Sequence, residues 1–293
     1  MNIGVIGNRG AWSTELLSRQ LASKNAGGTV IQLNEISYNL TTGHVSLHHQ
    51  DLSEFDGFII KKMGKNYSSI LLDELELLEL LERRGVRFFS SPSSIREMIS
   101  RLSCTIRLRE NNIPMPPTFV TEDIEDAVRW VEANAPVILK PLYSTKARGM
   151  ELLVDADIAR EHFTAMQARG EQIIYLQKKL ELSGSDYGLV FLGSEYIGAY
   201  ARVGDGSTWH TTTQEGGRYA AYTPTADLID LATRAQAPFN LDFTCVDIAI
   251  TEEVGPVVFE VSAFGSYKGL SKSSGLDASA LLTNYVIEKL TDE

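Results

Sequence analysis

Apolar residues recur along the chain at strand and helix spacings, which predicts a succession of short strands and amphipathic helices. Residues 2–6 read as a buried strand, followed by a loop with Gly7 and Gly10 and a helix over about 13–24, with Ser13 or Thr14 as its cap. Further strands are expected at 29–33, 55–61 and 86–90, and 69–84 is a helix with leucines on more than one face, suited to a core or a subunit interface. Alternating strands and helices predict a small α/β domain over residues 1–92. A helix over 94–111 leads into Ile113-Pro114-Met115-Pro116-Pro117, which must be extended because each proline drives the residue before it out of the helical region. Beyond it, strands at 118–120, 137–140, 151–154, 173–177, 188–192 and 196–202, with helices at 125–134 and 156–169, give a mixed α+β pattern without a repeat.

The apolar runs 243–250 and 257–263 flank a polar turn and predict a hairpin. In a symmetric register Ile250 faces Val257, Ile248 faces Phe259 and Val246 faces Val261, on one apolar face. The other face sets Cys245 opposite Ser262, Ala249 opposite Val258, and Asp247 opposite Glu260. Like charges directly opposite destabilise an antiparallel pair. A divalent cation between two hard oxygens would compensate, as would protonation of one acid or a Lys or Arg neutralising both.

The 293 residues and 43% apolar content suffice for a substantial core in two or three modules. A formal charge of −11 argues against nucleic acid or an anionic membrane as partner. Cys104 and Cys245 are far apart and fit neither a disulfide framework nor a zinc site. With no signal-peptide pattern and no apolar window long enough to span a bilayer, a soluble cytoplasmic protein is expected. Lys140 closes an apolar strand, and a Ser/Gly loop with Lys146 and Arg148 follows. A cation beside free backbone N–H groups suits phosphate, although a strand-end lysine can be simply solvated.

Taken in order, these features resemble the ATP-grasp superfamily, and within it the RimK-type ligases, over about residues 94–270, with residues 1–92 as the pre-ATP-grasp α/β domain. The resemblance rests on Arg101 before Asn112-Ile113-Pro114-Met115-Pro116-Pro117-Thr118, Lys140 with its loop, the hinge Gln177-Lys178-Lys179-Leu180-Glu181 running to Asp186, the strand ending at Arg202, and the Asp247/Glu260 hairpin. It implies an ATP-grasp domain over 93–293, with a lid at about 118–176 and a nucleotide and metal core at about 177–293. It also implies ATP and Mg2+, with Mn2+ as a substitute, and amide formation through an acylphosphate. An amino acid such as glutamate would be joined to a small-molecule, peptide or protein carboxylate, with homo-oligomerisation left open.

By the same resemblance Arg101, Lys140, Lys146 and Arg202 meet phosphates, Gln177, Lys178, Lys179 and Leu180 frame adenine through the backbone, and Glu181 holds ribose near Asp186. Asp247, Glu260 and Ser262 hold metal, Arg202 also acts in catalysis, and Lys268 with Tyr267 touches the acceptor carboxylate. Departures from the family pattern are Ser100-Arg101 for Asp-Lys, Ser144 and Ala147 for loop glycines, Gly188 for an arginine, Thr212 for the usual asparagine, and Ser262 for asparagine. Three other readings remain: an ATP-binding relative without ligase activity, an oxidoreductase suggested by Gly4, Gly7 and Gly10, and a hydrolase using His44, His48 and His49. The glycine spacing is not the dinucleotide fingerprint, and adjacent strand histidines point apart.

Overall fold

The computed structural model describes residues 1–64, 67–144, 147–205, 211, 216–265 and 267–292. The chain opens with β1 (Ile3–Ile6), α1 (Trp12–Ser23) and β2 (Gly27–Ile31). A small antiparallel meander follows, of β3 (Ile36–Asn39), β4 (His44–Leu47) and β5 (Gln50–Asp51), and then β6 (Gly57–Ile60), α2 (Ile70–Glu82) and β7 (Arg87–Phe89). Strands β2, β1, β6 and β7 form a parallel sheet in that order, and β1 and β6 are buried throughout, as strands covered on both faces must be. Leu71, Leu75, Leu78 and Leu81 of α2 lie in the chain's own core, which accounts for the stripe that suggested a subunit interface. Two local expectations are corrected. α1 starts behind Ala11 without a side-chain cap, and Thr14 instead packs against Gly7. His48 and His49 are not strand residues but the turn between β4 and β5, at φ of 47° and 76°, while His44 hydrogen-bonds Asp51 at 2.9 Å. Two successive left-handed residues give a tight turn whose twist matches its strands.

The helix predicted over 94–111 is two helices, α3 (Pro92–Ile99) and α4 (Arg101–Glu110), separated by extended Ser100 at φ −80° and ψ 127°. The break frees the Arg101 amide to donate to the Leu142 carbonyl at 3.0 Å. Then come β8 (Thr118–Thr121), α5 (Ile124–Asn134), β9 (Val137–Leu139), β10 (Glu151–Leu153), α6 (Ala156–Ala168) and β11 (Ile174–Lys178). Their antiparallel sheet, ordered β10-β9-β11-β8, has a core of its own around Val131, Val137, Phe163 and Leu176.

The last part contains β12 (Leu182–Leu192), β13 (Glu195–Val203), β14 (Arg218–Ala221), α7 (Ala226–Gln236), β15 (Phe243–Thr251), β16 (Gly255–Ser262), α8 (Tyr267–Ser274) and α9 (Ala278–Thr291). Its five strands run in the order β14-β13-β12-β15-β16. This sheet shares its core with the amino-terminal part: Phe58, Leu75 and Ile95 lie in one apolar cluster with Phe191, Val246 and Val261. Among the described residues, no helix is long and apolar enough to cross a membrane.

The predicted hairpin forms, with Cys245 opposite Ser262, Val246 opposite Val261 and Asp247 opposite Glu260. Beyond Asp247 the symmetric register is corrected: Ile248 faces Val258, Ala249 faces Val257 and Ile250 faces Pro256. Phe259 is the extra residue of a bulge, so the single apolar face expected for Ile248, Ile250, Val257 and Phe259 does not form. Phe259 packs instead with Leu180, Leu182, Ala249 and Val257.

Candidate functional site

Four cross-strand neighbours make one row across the carboxy-terminal sheet: Tyr200 on β13, Gly188 on β12, Asp247 on β15 and Glu260 on β16. One step along, Arg202 lies opposite Asp186. Its guanidinium donates from Nε to Asp186 Oδ2 at 2.9 Å, and its Nη2 lies 2.9 Å from Asp247 Oδ2. Thr211 Oγ1 occupies the other Asp186 oxygen. Arg101 Nη1 stands 3.9 Å from Glu260 Oε2. Each acid of the hairpin pair thus has an arginine near it, one of the compensations the sequence left open. Burial nevertheless raises the Asp247 carboxyl above the ordinary carboxylate range against the pull of Arg202, and the charges of Asp186 and Glu260 add to it.

A carboxylate under that pressure, with a second opposite and the Ser262 hydroxyl on the adjoining pair, is a hard-oxygen set that fits a divalent cation. Ser262 Oγ accepts a hydrogen bond from the Phe264 amide at 3.2 Å, so part of its capacity is already used. No cluster of three His, Cys, Asp or Glu occurs among the described residues. The remaining ligands would come from Ser262, water or a nucleotide.

Arg101 ties this pair to the loop after β9. Its Nε donates to the Pro141 carbonyl at 2.9 Å and its Nη2 to Ser144 Oγ at 3.1 Å. The two departures at Arg101 and Ser144 therefore meet each other. Lys140, at the end of β9, donates to the Gln177 side-chain carbonyl, and Gln177 in turn donates to Thr118 Oγ1 at 3.1 Å. The Lys140 Nζ lies 5.5 Å from the centre of the Phe259 ring. Burial, helped by Arg101 and opposed by Glu260, pulls the Lys140 ammonium down to about 7. Lys146 and Thr212 lie outside the described residues. A cleft of about 910 Å3 beside Lys140 runs between Tyr67 and the Pro141, Gly149 and His162 side, and does not reach Asp247 or Glu260.

In the hinge, the Lys178 amide donates to Pro117 O at 2.8 Å and the Lys179 amide to Pro136 O at 3.0 Å. The Lys178 Nζ faces Glu253 at 3.6 Å, and Lys179 pairs with Glu181, whose side chain is 75% exposed. Leu180 is buried in the patch with Phe259 and Val257, an apolar surface beside polar backbone. Lys268 is not drawn to the acids. Its Nζ sits 5.6 Å from the centre of the Trp12 ring, at the junction with the amino-terminal part. Tyr267, expected at an acceptor carboxylate, is buried edge-on against Phe243.

Sequence reasoning missed Tyr200, Phe259, Tyr67 and Lys61. Tyr200 explains the absent arginine at 188: a Cβ on Gly188 would come within 2.4 Å of the Tyr200 ring, and one on Gly269 within 2.5 Å. The tyrosine is sandwiched between two glycines, its hydroxyl 3.6 Å from Cys245 Sγ. Lys61 carried a signal like that of Lys140, a lysine closing an apolar strand, although here Lys62 follows it.

A family model described as the RimK-like ATP-grasp domain matches residues 100–286, more than half of the chain. The tetrahydromethanopterin:alpha-L-glutamate ligase of Methanocaldococcus jannaschii is 25% identical over 242 residues, covering 81% of this chain and 81% of that protein. The ribosomal protein bS6–L-glutamate ligase of Salmonella paratyphi B is 24% identical over 263 residues, covering 87% and 85%. The solved structure of the ATP-grasp ligase PsnB complexed with minimal precursor, Mg and ADP aligns with a TM-score of 0.72 at 18% identity, over 98% of this chain and 97% of that one. Likeness at that identity identifies the fold.

Proposed function

The chain belongs to the RimK-like ATP-grasp family, and on that footing we propose that it is an ATP- and magnesium-dependent carboxylate–amine ligase. It joins an amino acid of the glutamate kind to a small-molecule, peptide or protein carboxylate through an acylphosphate. The observation that carries this reading is the opposed pair Asp247 and Glu260, with Arg101, Lys140 and Arg202 converging on it from three elements. The glutamate donor comes from the relatives, which are named as glutamate ligases.

Asp247, Glu260 and Ser262 would hold the cation, for which Mn2+ is an equivalent hard-ligand substitute. When bound, it would supply positive charge to offset that developing on the transferred group. Arg202 and Lys140 would meet that charge, and Asp186, itself held by Thr211, fixes the Arg202 guanidinium. Asp186 thus positions a catalytic cation. The Leu180 and Phe259 patch receives the base between hinge carbonyls, and Glu181 reaches the ribose once it leaves Lys179. The part with its own core, about residues 118–176, acts as the lid over a site built on 177–293, with 1–92 as the pre-ATP-grasp domain. Lys268, which lies beside Trp12, would meet the acceptor carboxylate.

A screen of ADP release against candidate carboxylates and amino acids, with magnesium, tests the reading beside Glu260→Ala. Release that needs magnesium, an acceptor and an amino acid, and that falls at least about 100-fold in Glu260→Ala, is expected. Magnesium-indifferent ATP binding, unchanged in Glu260→Ala and without ADP release for any acceptor, overturns it and leaves a nucleotide-binding relative without ligase activity.

A further inference from the structure

Lys61 follows β6 directly, and its amide extends the sheet by donating to Ile6 O at 2.8 Å. The side chain is 3% exposed. Its Nζ donates to the Phe264 carbonyl at 2.5 Å and lies 4.1 Å from the centre of the Tyr267 ring. No carboxylate among the described residues pairs with it. A buried ammonium with one carbonyl and one aromatic face for company opposes folding, since burying a charge without a counter-ion is costly. Burial, with Lys62 adding and Cys245 opposing, accordingly draws it down to about 7. An apolar side chain of the same length would fill the space without that cost. The compensation must be sought in what the ammonium holds.

It holds the carbonyl of Phe264, a residue whose amide, in the preceding peptide unit, is held as well. The Phe264 amide donates to Ser262 Oγ at 3.2 Å, and its ring packs edge-on against Tyr67 with centroids 6.4 Å apart. Ser262 is two residues beyond Glu260 and on the same face of β16. Two hydrogen bonds therefore connect a lysine of the amino-terminal sheet to the third oxygen of the metal set. The amide fills one lone pair of that hydroxyl and fixes where the other points.

We propose that Lys61 is a positioning residue of the ligase site: by clamping the Phe264 carbonyl it orients the Ser262 hydroxyl beside Glu260 and so sets the affinity of the site for magnesium. This rests on the metal and ligase reading given above. Groups that orient metal ligands typically change affinity or activity by 10- to 100-fold when removed.

The experiment compares Lys61→Met, Lys61→Arg, Ser262→Ala and Lys61→Met/Ser262→Ala in the full chain. It reads thermal unfolding, ATP binding by calorimetry across a magnesium titration, and turnover. Lys61→Met is expected to fold with an unchanged or higher Tm, yet to need about tenfold more magnesium for half-maximal ATP binding, and Lys61→Arg to recover part of that shift. Because Lys61 acts through Ser262, the double variant is expected to be no worse than the worse single one. A normal magnesium requirement in Lys61→Met, or effects that multiply in the double variant, overturns the proposal. So does failure of both Lys61 variants to fold, which would make the lysine a structural tether. If the wild type releases no ADP with any acceptor, the ligase reading fails, while the magnesium titration still decides the role of Lys61.

Discussion

At Lys140 two requirements conflict, because phosphate is best met by an ammonium and the place that holds it is dry. Burial first, and Arg101 next, bring its titration to about 7, against the opposing attraction of Glu260. Above that pH the unliganded side chain is largely neutral, and phosphates bound there as proposed would restore its proton. ATP binding at pH 8 should therefore take up a proton, measurable by calorimetry in buffers of different ionisation enthalpy, and Lys140→Met should abolish the uptake. For the folded protein alone the sign is opposite to that of a salt-bridged lysine. In the folded chain the group titrates at about 7 and an ordinary lysine at 10.5, so the unfolded chain binds more protons across that window. Stability from this group then rises with pH from about 7 to 10.5, and its penalty is full below 7. Urea unfolding at pH 7 and pH 9 should show that rise shrinking in Lys140→Met. Tyr200 supports a second residue-level prediction. Gly188→Ala should destabilise by about 1–3 kcal/mol, because the new methyl meets the Tyr200 ring. Gly188→Ala/Tyr200→Ala should cost less than the sum of the two single changes in thermal unfolding. Lys140 was legible because its surroundings in sequence are apolar. Tyr200 was not, because its two glycine neighbours, Gly188 and Gly269, lie on different elements and meet it only in the folded chain.

At the scale of elements, period-two alternation was enough to oppose Asp247 and Glu260, since both lie in apolar runs with one way to face a core. It could not reveal the bulge, because Phe259 is as apolar as its neighbours and either register buries nonpolar side chains on one face. What selects the bulge is a second apolar demand on the opposite face, from Leu180 and Leu182. The break at Ser100 was hidden for a similar reason: nothing in Ile99-Ser100-Arg101 forbids a helix, and the competing partner, the Leu142 carbonyl, is distant in sequence. Helices α7 and α9, capped by Thr225 and Asp277, are additional to the predicted elements. The bulge has a measurable consequence. Phe259→Ala removes ring surface from the patch beside Lys140 while leaving the Asp247–Glu260 pairing on the other side of the register shift. ATP affinity should fall by about tenfold, consistent with losing a buried aromatic contact, with the magnesium requirement unchanged. Calorimetry with and without saturating magnesium separates the two effects.

Across the whole molecule the cores do not follow the order of the chain. The amino-terminal and carboxy-terminal sheets share one apolar cluster, while residues between them close a cluster of their own around Val131 and Phe163. The middle part meets the rest through polar and backbone contacts such as Arg101 N to Leu142 O and Arg101 to Ser144. Separate cores joined by few apolar contacts should unfold separately unless a ligand couples them. Trp130 offers a local probe, since it stacks on Phe119 at 5.9 Å within the middle part. Replacing Trp12 and Trp209 by Phe leaves Trp130 as the single tryptophan of the three. In urea, its fluorescence should then report a midpoint below that of the far-ultraviolet circular dichroism, which averages the whole chain. If magnesium and ATP join Lys140 and the hinge to Asp247 and Arg202 as proposed, they should draw the two midpoints together by stabilising the docked state. Coincident transitions without nucleotide would mean that the middle part is not an independent body, and would remove the structural basis for a lid that opens and closes over the acids.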